Sequence, residues 1–216
     1  MTTTPTVPVT LLQAVNEMLA SVGTAQVATL TTASTDEEVQ KALNTISDVA
    51  VQVQSERWAF NTDENYPINP SPVDGSISLP ANANFLGVGW KSKNRKATVR
   101  NGQLYDLDNH TFIWANGSNG QMTPQPLLSS GSSGMGVLYI NVQFYYPFET
   151  LPQPIRWLVL CKAARMFAVG RVPDSMTFKF TDTAYEEAVS LAHQWDAEQS
   201  DEGDYINPHL AFMGRR

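Results

Sequence analysis

The chain has 216 residues, 42% of them hydrophobic and 10% aromatic, enough to bury a core as one large domain or two small ones. A formal charge of −7 and a pI near 4.9 argue against a protein that grips nucleic acid by counterion release, which needs a cationic surface. With Cys161 as the one cysteine, no intramolecular disulfide framework is possible, and cytosolic synthesis is the natural reading. Residues 1–10 are rich in Thr and Pro and do not read as a signal peptide. The most apolar run, 155–169, is interrupted by Lys162 and Arg165 and is too short for a bilayer of about 30 Å, so no membrane span is expected.

In chain order, Thr10 is placed to cap a first helix through residue 22, with Leu11, Leu12, Val15, Met18 and Leu19 on one face and Gly23 as its stop. A second helix is predicted from about Thr35 or Asp36. Ser34 or Thr35 is its expected cap, acidic residues 36–38 suit its positive end, and Val39, Leu43, Ile46, Val49 or Ala50, and Val53 recur at helical spacing. From residue 61 to 148, prolines and a Gly/Asn/Ser background exclude long helices. Short strands are predicted at 76–79, 85–88, 97–99, 104–107, 111–114 and 137–146, with turns at Asp74-Gly75, Asn101-Gly102 and Asp108-Asn109-His110. The stretch 117–136 reads as a long mobile loop. A third helix is predicted from Pro152 or Pro154 to Gly170, apolar nearly all round and therefore central. A fourth begins near Thr181 or Thr183. Thr183 and Glu186 suggest a capping box, and Tyr185, Ala188, Leu191 or Ala192, and Trp195 form its inward stripe.

These textures predict an α+β protein: a discontinuous bundle of about four helices (1–60 and 149–200), a small antiparallel β domain inserted at 61–148, and an extended C-terminal tail at 201–216.

Patterns that could carry chemistry each have a plainer reading. Asp106-x-Asp108-x-His110 has metal-ligand residue types, but it spans a strand end and a turn, where Asp and Asn serve the backbone. Glu186 and Glu187 are adjacent on a helix and point apart, so they cannot flank one glycosidic bond. Cys161, inside an apolar run, is expected to be a buried, inert thiol. His110, His193 and His209 share no ligand spacing, and Gly131, Gly134 and Gly136 lack the Lys-Ser/Thr of a phosphate loop. No cofactor or metal is implied. The most conspicuous charged feature is Lys91, Lys93, Arg95, Lys96 and Arg100, five cations within ten positions. They read equally as a contact surface for a partner and as a solvated hairpin edge protected against strand pairing.

Three segments together resemble tail tubular protein A of podovirus-type short-tailed phages. Residues 12–23, LQAVNEMLASVG, are similar to that family's opening helix. Residues 53–61, VQSERWAFN, are similar to its Gln-Ser-x-x-Trp-x-Phe-Asn segment, and Leu151-Pro152, Arg156-Trp157, Lys162-Ala163 and Arg165-Met166-Phe167 to its third helix. The β insertion aligns loosely, around 102–106.

The resemblance implies a virion protein without a catalytic motif, a head-to-tail adaptor made in the host cytoplasm. Its copies would form a dodecameric ring between the portal and the nozzle of tail tubular protein B, with tail fibres docking at the lower junction and genomic DNA passing through. Trp58 and Phe60 would then fix the helical and β parts. Tyr205, Ile206, Leu210 and Phe212 would anchor the tail to the portal, and the basic segment would meet the nozzle or neighbouring subunits.

Two other classes compete. A tail-associated polysaccharide or peptidoglycan hydrolase would need Asp63 or Glu64 to meet Asp106 or Asp108. A carbohydrate-binding tail component would use Trp90, Tyr105, Trp114 and Tyr139.

Overall fold

The structure, a computed structural model, describes residues 9–31, 36–114, 137–169 and 175–204. Helix α1 (Leu11–Ser21) starts at Thr10, whose hydroxyl accepts from the Gln13 N–H at 3.2 Å, and stops before Gly23 at φ +74°. Helix α2 (Glu37–Gln54) is capped by Asp36 rather than by Ser34 or Thr35: its carboxylate accepts from the N–H groups of Glu38 and Val39. A carboxylate there satisfies two free amides and also suits the helix dipole. Helix α3 (Gln153–Ala168) follows Pro152 and ends with Val169 as its cap, just short of Gly170.

Helix α4 (Ser175–Asp204) departs from expectation at both ends. It starts well ahead of Thr183, which therefore lies inside the helix with Glu186, and neither caps it. It also continues through the acidic cluster Asp201, Glu202 and Asp204, predicted to be extended. Glu and Gln are good helix formers, and no proline interrupts the chain before Pro208, so a capping pattern in mid-segment was a false start.

The chain divides into two compact units, one formed by residues up to Phe60 and from Tyr146 onward, the other by Asn61–Tyr145. In the helical unit, α3 packs against each of the other three helices. Ile155, Val159 and Ala163 are fully buried there, beside Val15, Met18 and Leu19 of α1, Val39, Ile46, Val49 and Val53 of α2, and Ala188 and Ala192 of α4. The choice between Leu191 and Ala192 falls on Ala192, and Leu191 is 52% exposed.

The β unit holds a three-stranded antiparallel sheet, ordered β1 (Thr62–Ile68), β5 (Leu138–Phe144), β2 (Ala83–Val88). It also holds a hairpin of β3 (Ala97–Arg100) and β4 (Gln103–Asp106). Asn101 and Gly102, at φ +53° and +75°, form the primed two-residue turn that matches strand twist. Strand β1 was not foreseen, because TDENYPI has few strand formers. Its place at the sheet edge explains how Pro67 is tolerated, and a register shift between Asp63 and Tyr66 absorbs Asn65 at φ +56°. The predicted strands at 76–79 and 111–114 reduce to single bridges, Ser78 with Gln103 and Thr111 with Asp106. Leu138, Ile140 and Val142 alternate inward to form a core with Ile77, Leu104 and Trp114. The loop expected at 117–136 and the tail from Tyr205 onward lie outside the described residues.

Replacing Ile155 by Ala should lower unfolding free energy by about 2–5 kcal/mol, whereas Leu191→Ala should change it by less than about 0.5 kcal/mol. Urea denaturation of the two variants measures both; equal losses would refute the assignment of faces on α3 and α4.

Candidate interaction site

The basic segment begins on a short 3-10 turn, Trp90–Ser92, which is tied to the sheet from several sides. The Gly89 N–H donates to the Tyr139 carbonyl at 2.8 Å, the Tyr139 N–H donates to Ser92 Oγ at 3.1 Å, and the Lys91 N–H donates to Asn65 Oδ1 at 3.1 Å. Asn65 is itself held, its N–H donating to Asn141 Oδ1 at 3.0 Å. A Cβ on residue 89 would stand 2.6 Å from Asn65 Oδ1 and 3.2 Å from Asn65 Cα, so any larger residue would have to displace Asn65 and its bond from Lys91. On this fixed turn Trp90 is 67% exposed. The Lys91 ammonium lies 5.7 Å from the Trp90 ring centre and 5.0 Å from that of Tyr139, within cation–π range of both.

The rest of the segment joins the feature that looked like a metal pattern. Asp106 is buried at the end of β4, and its carboxylate accepts from the N–H groups of Asp108 (2.8 Å) and Asn109 (3.1 Å) and from the Asn109 carboxamide (2.8 Å). Arg95 stands 3.6 Å away, and the Lys96 N–H donates to Asp108 Oδ2 at 3.1 Å. Burial pushes the Asp106 carboxyl up. The hydrogen bonds from Asn109 and Asp108 and the charge of Arg95 outweigh that and hold it below the usual carboxylate range. His110 closes the turn at φ +55°. Arg100 lies over the Tyr105 ring at 3.9 Å, and Lys93 is exposed. The structure thus joins Arg95 and Lys96 to Asp106 and Asp108, and Lys91 to two aromatic rings.

The aromatic residues do not share one role. Trp114 is buried, its Nε1–H donating to the Leu104 carbonyl at 2.9 Å, while Tyr105 packs edge-on against Phe112. Asp63 and Glu64 are exposed on β1. Burial pushes the Cys161 thiol up to about 12, with Glu17 and Glu187 adding to the effect, so the group stays protonated and unreactive near neutral pH. Glu186 and Glu187 are exposed on α4. His193 packs against Trp58, with ring centres 5.0 Å apart. Tyr205, Ile206, Leu210, Phe212, His209 and the three glycines lie outside the described residues.

The segment 53–61 has a role that residue types alone did not reveal. Gln54, buried at the end of α2, accepts from the Tyr146 N–H at 2.7 Å and donates to the Tyr146 carbonyl at 3.0 Å. Trp58 is buried and donates from Nε1 to the Val53 carbonyl. Phe60 packs on Tyr146 and on Trp195 of α4, and Asp196 accepts from the Ala59 N–H at 2.7 Å. A glutamine spaced to fall on the inward face of α2 was the available signal, since a buried carboxamide requires partners.

Asp106→Asn should cost about 1–3 kcal/mol near neutral pH. The native carboxyl has a lowered pKa, so its stabilisation is complete above the unfolded value of about 3.9 and is lost as pH falls through the folded value. Denaturation from pH 2 to 7 should therefore show a shallower acid loss in the variant; parallel curves would contradict this role.

A search among curated proteins returns no match. The family model of the tail tubular protein matches residues 12–202, which takes in α1 from its second residue, α2, the whole β unit, α3 and nearly all of α4. The segments 12–23, 53–61 and 151–167, similar to segments of a tail tubular protein, all fall within that span and contribute to the core of the helical unit, alongside α2 residues 39–50 and Ala188 and Ala192 of α4. The chain therefore belongs to the tail tubular protein family, structural components of the phage tail.

Proposed function

We propose that this protein is the head-to-tail adaptor of a short-tailed phage virion, a tail tubular protein A. Its copies form a closed homo-oligomeric ring, a dodecamer, between the portal and the nozzle of tail tubular protein B, with tail fibres docking at the lower junction. The observation that carries this reading is the family match over residues 12–202, together with the three segments that resemble tail tubular protein A and contribute to the helical core. The protein is made in the host cytoplasm and acts in the virion tail, with no catalytic role and no cofactor.

The charge distribution supports a passage for DNA. Residues 61–145 contain five acidic and five basic side chains, so the formal charge of −7 resides wholly in the rest of the chain. An acidic lining repels the phosphate backbone and lets DNA slide without sequence-specific binding. Lys91, Lys93, Arg95, Lys96 and Arg100 meet the nozzle or neighbouring copies, and Tyr205, Ile206, Leu210 and Phe212 anchor the C-terminal tail to the portal. Helix α4 runs through Asp204, so the portal contact is assigned to residues 205–216 beyond it.

Native mass measured alone and with portal rings tests the proposal. A closed ring on the portal is expected, and a protein that stays monomeric beside it would refute the adaptor. Deletion of residues 205–216 should leave thermal unfolding unchanged and weaken portal attachment; undiminished attachment would remove the tail from the portal contact.

A further inference from the structure

A cyclic ring requires two different faces on each subunit, because its contacts are heterologous. The β unit offers one. Trp90 and Lys91 stand on a turn fixed by Gly89, Asn65, Ser92 and Tyr139, with exposed Lys93 beside them. A large aromatic side chain held out on a rigid turn loses little entropy on binding, and flanking cations select an acidic partner.

Helix α4 offers a face of opposite character. From Asp182 to Asp204 it carries eight acidic residues and no Lys or Arg. Asp182 is paired with Arg165 at 3.0 Å, and Asp196 is taken by the Ala59 N–H. Glu187, Leu191, Gln194 and Glu198 are all exposed, and their spacing places them on one stripe of the helix. Glu198 accepts from the neutral Gln194 carboxamide. By contrast, the acidic first turn of α2 is countered by Lys41, which pairs with Glu37 and Glu38. On α4, an apolar residue thus sits between carboxylates, just as Trp90 sits beside ammonium groups.

We propose that the Trp90 turn of one copy docks on the Leu191 stripe of α4 of the next copy, with Lys91 and Lys93 facing Glu187 and Glu198. The contact rests on the ring reading above and names the surfaces that build it. Both surfaces are present on every copy, so each subunit offers one to each neighbour; the contact places the apolar centres together and leaves the charged residues at the rim, where they steer association and fix register.

Charge reversal tests the pairing with two variants, K91E/K93E and E187K/E198K, all at exposed positions. Each alone should raise the concentration needed for half-assembly on portal rings by about tenfold or more, with thermal unfolding unchanged, and W90A should do the same. Mixed in equal amounts, the two reversed variants should assemble again, because alternating copies present opposite charges at every contact of a ring with an even number of copies. Native mass spectrometry reads the alternating composition directly. Variants that assemble like the wild type, or a mixture no better than its components, would overturn this contact while leaving the ring intact. A wild-type protein that never forms a ring would instead overturn the adaptor reading on which it rests.

Discussion

The chain leaves the helical core after α2 and returns to it before α3, and one side chain secures that return. Gln54 uses its carboxamide on both backbone groups of Tyr146, and it does so fully buried. A buried amide that lost either partner would cost about 1–3 kcal/mol, so the site tolerates little displacement. Around it, Trp58, Phe60, Tyr146, His193 and Trp195 bind the end of α2 to α4.

The apolar surface of α3 makes the bundle possible. Most of α3 is apolar, and α1, α2 and α4 cover that part, leaving Met166 exposed and Arg156, Lys162 and Arg165 partly so. The β unit is organised by the same principle at period two: β5 lies between β1 and β2 and turns Leu138, Ile140 and Val142 into a separate core. Polar residues at its margin do conformational work, as Asp106 does in holding the turn that places Arg95 and Lys96.

Much of this was legible in the residues. Thr10 and Gly23 bracket α1, Asn101-Gly102 dictates a hairpin turn, and the apolar run of α3 announces its central place, because each signal is local and strong. Strand β1 was not legible: its pairing to β5 overrides a poor strand composition, and such an edge is decided by tertiary contact. The start of α4 was misjudged because Thr183 and Glu186 mimic a cap inside a helix. The basic segment was visible as charge, whereas the turn that fixes Trp90 and Lys91 depends on Asn65, Ser92 and Tyr139, which lie far apart in sequence. The metal-like pattern at 106–110 proved to be part of the same structure as the basic segment, which spacing alone could not reveal.

An adaptor is defined by its position in the tail, which electron cryomicroscopy of the intact virion reads outright. A ring of this chain is expected directly below the portal, with its C-terminal tail on the portal side and the nozzle beneath. A location at the nozzle tip or on the fibres, with another protein occupying the portal-adjacent ring, would contradict it.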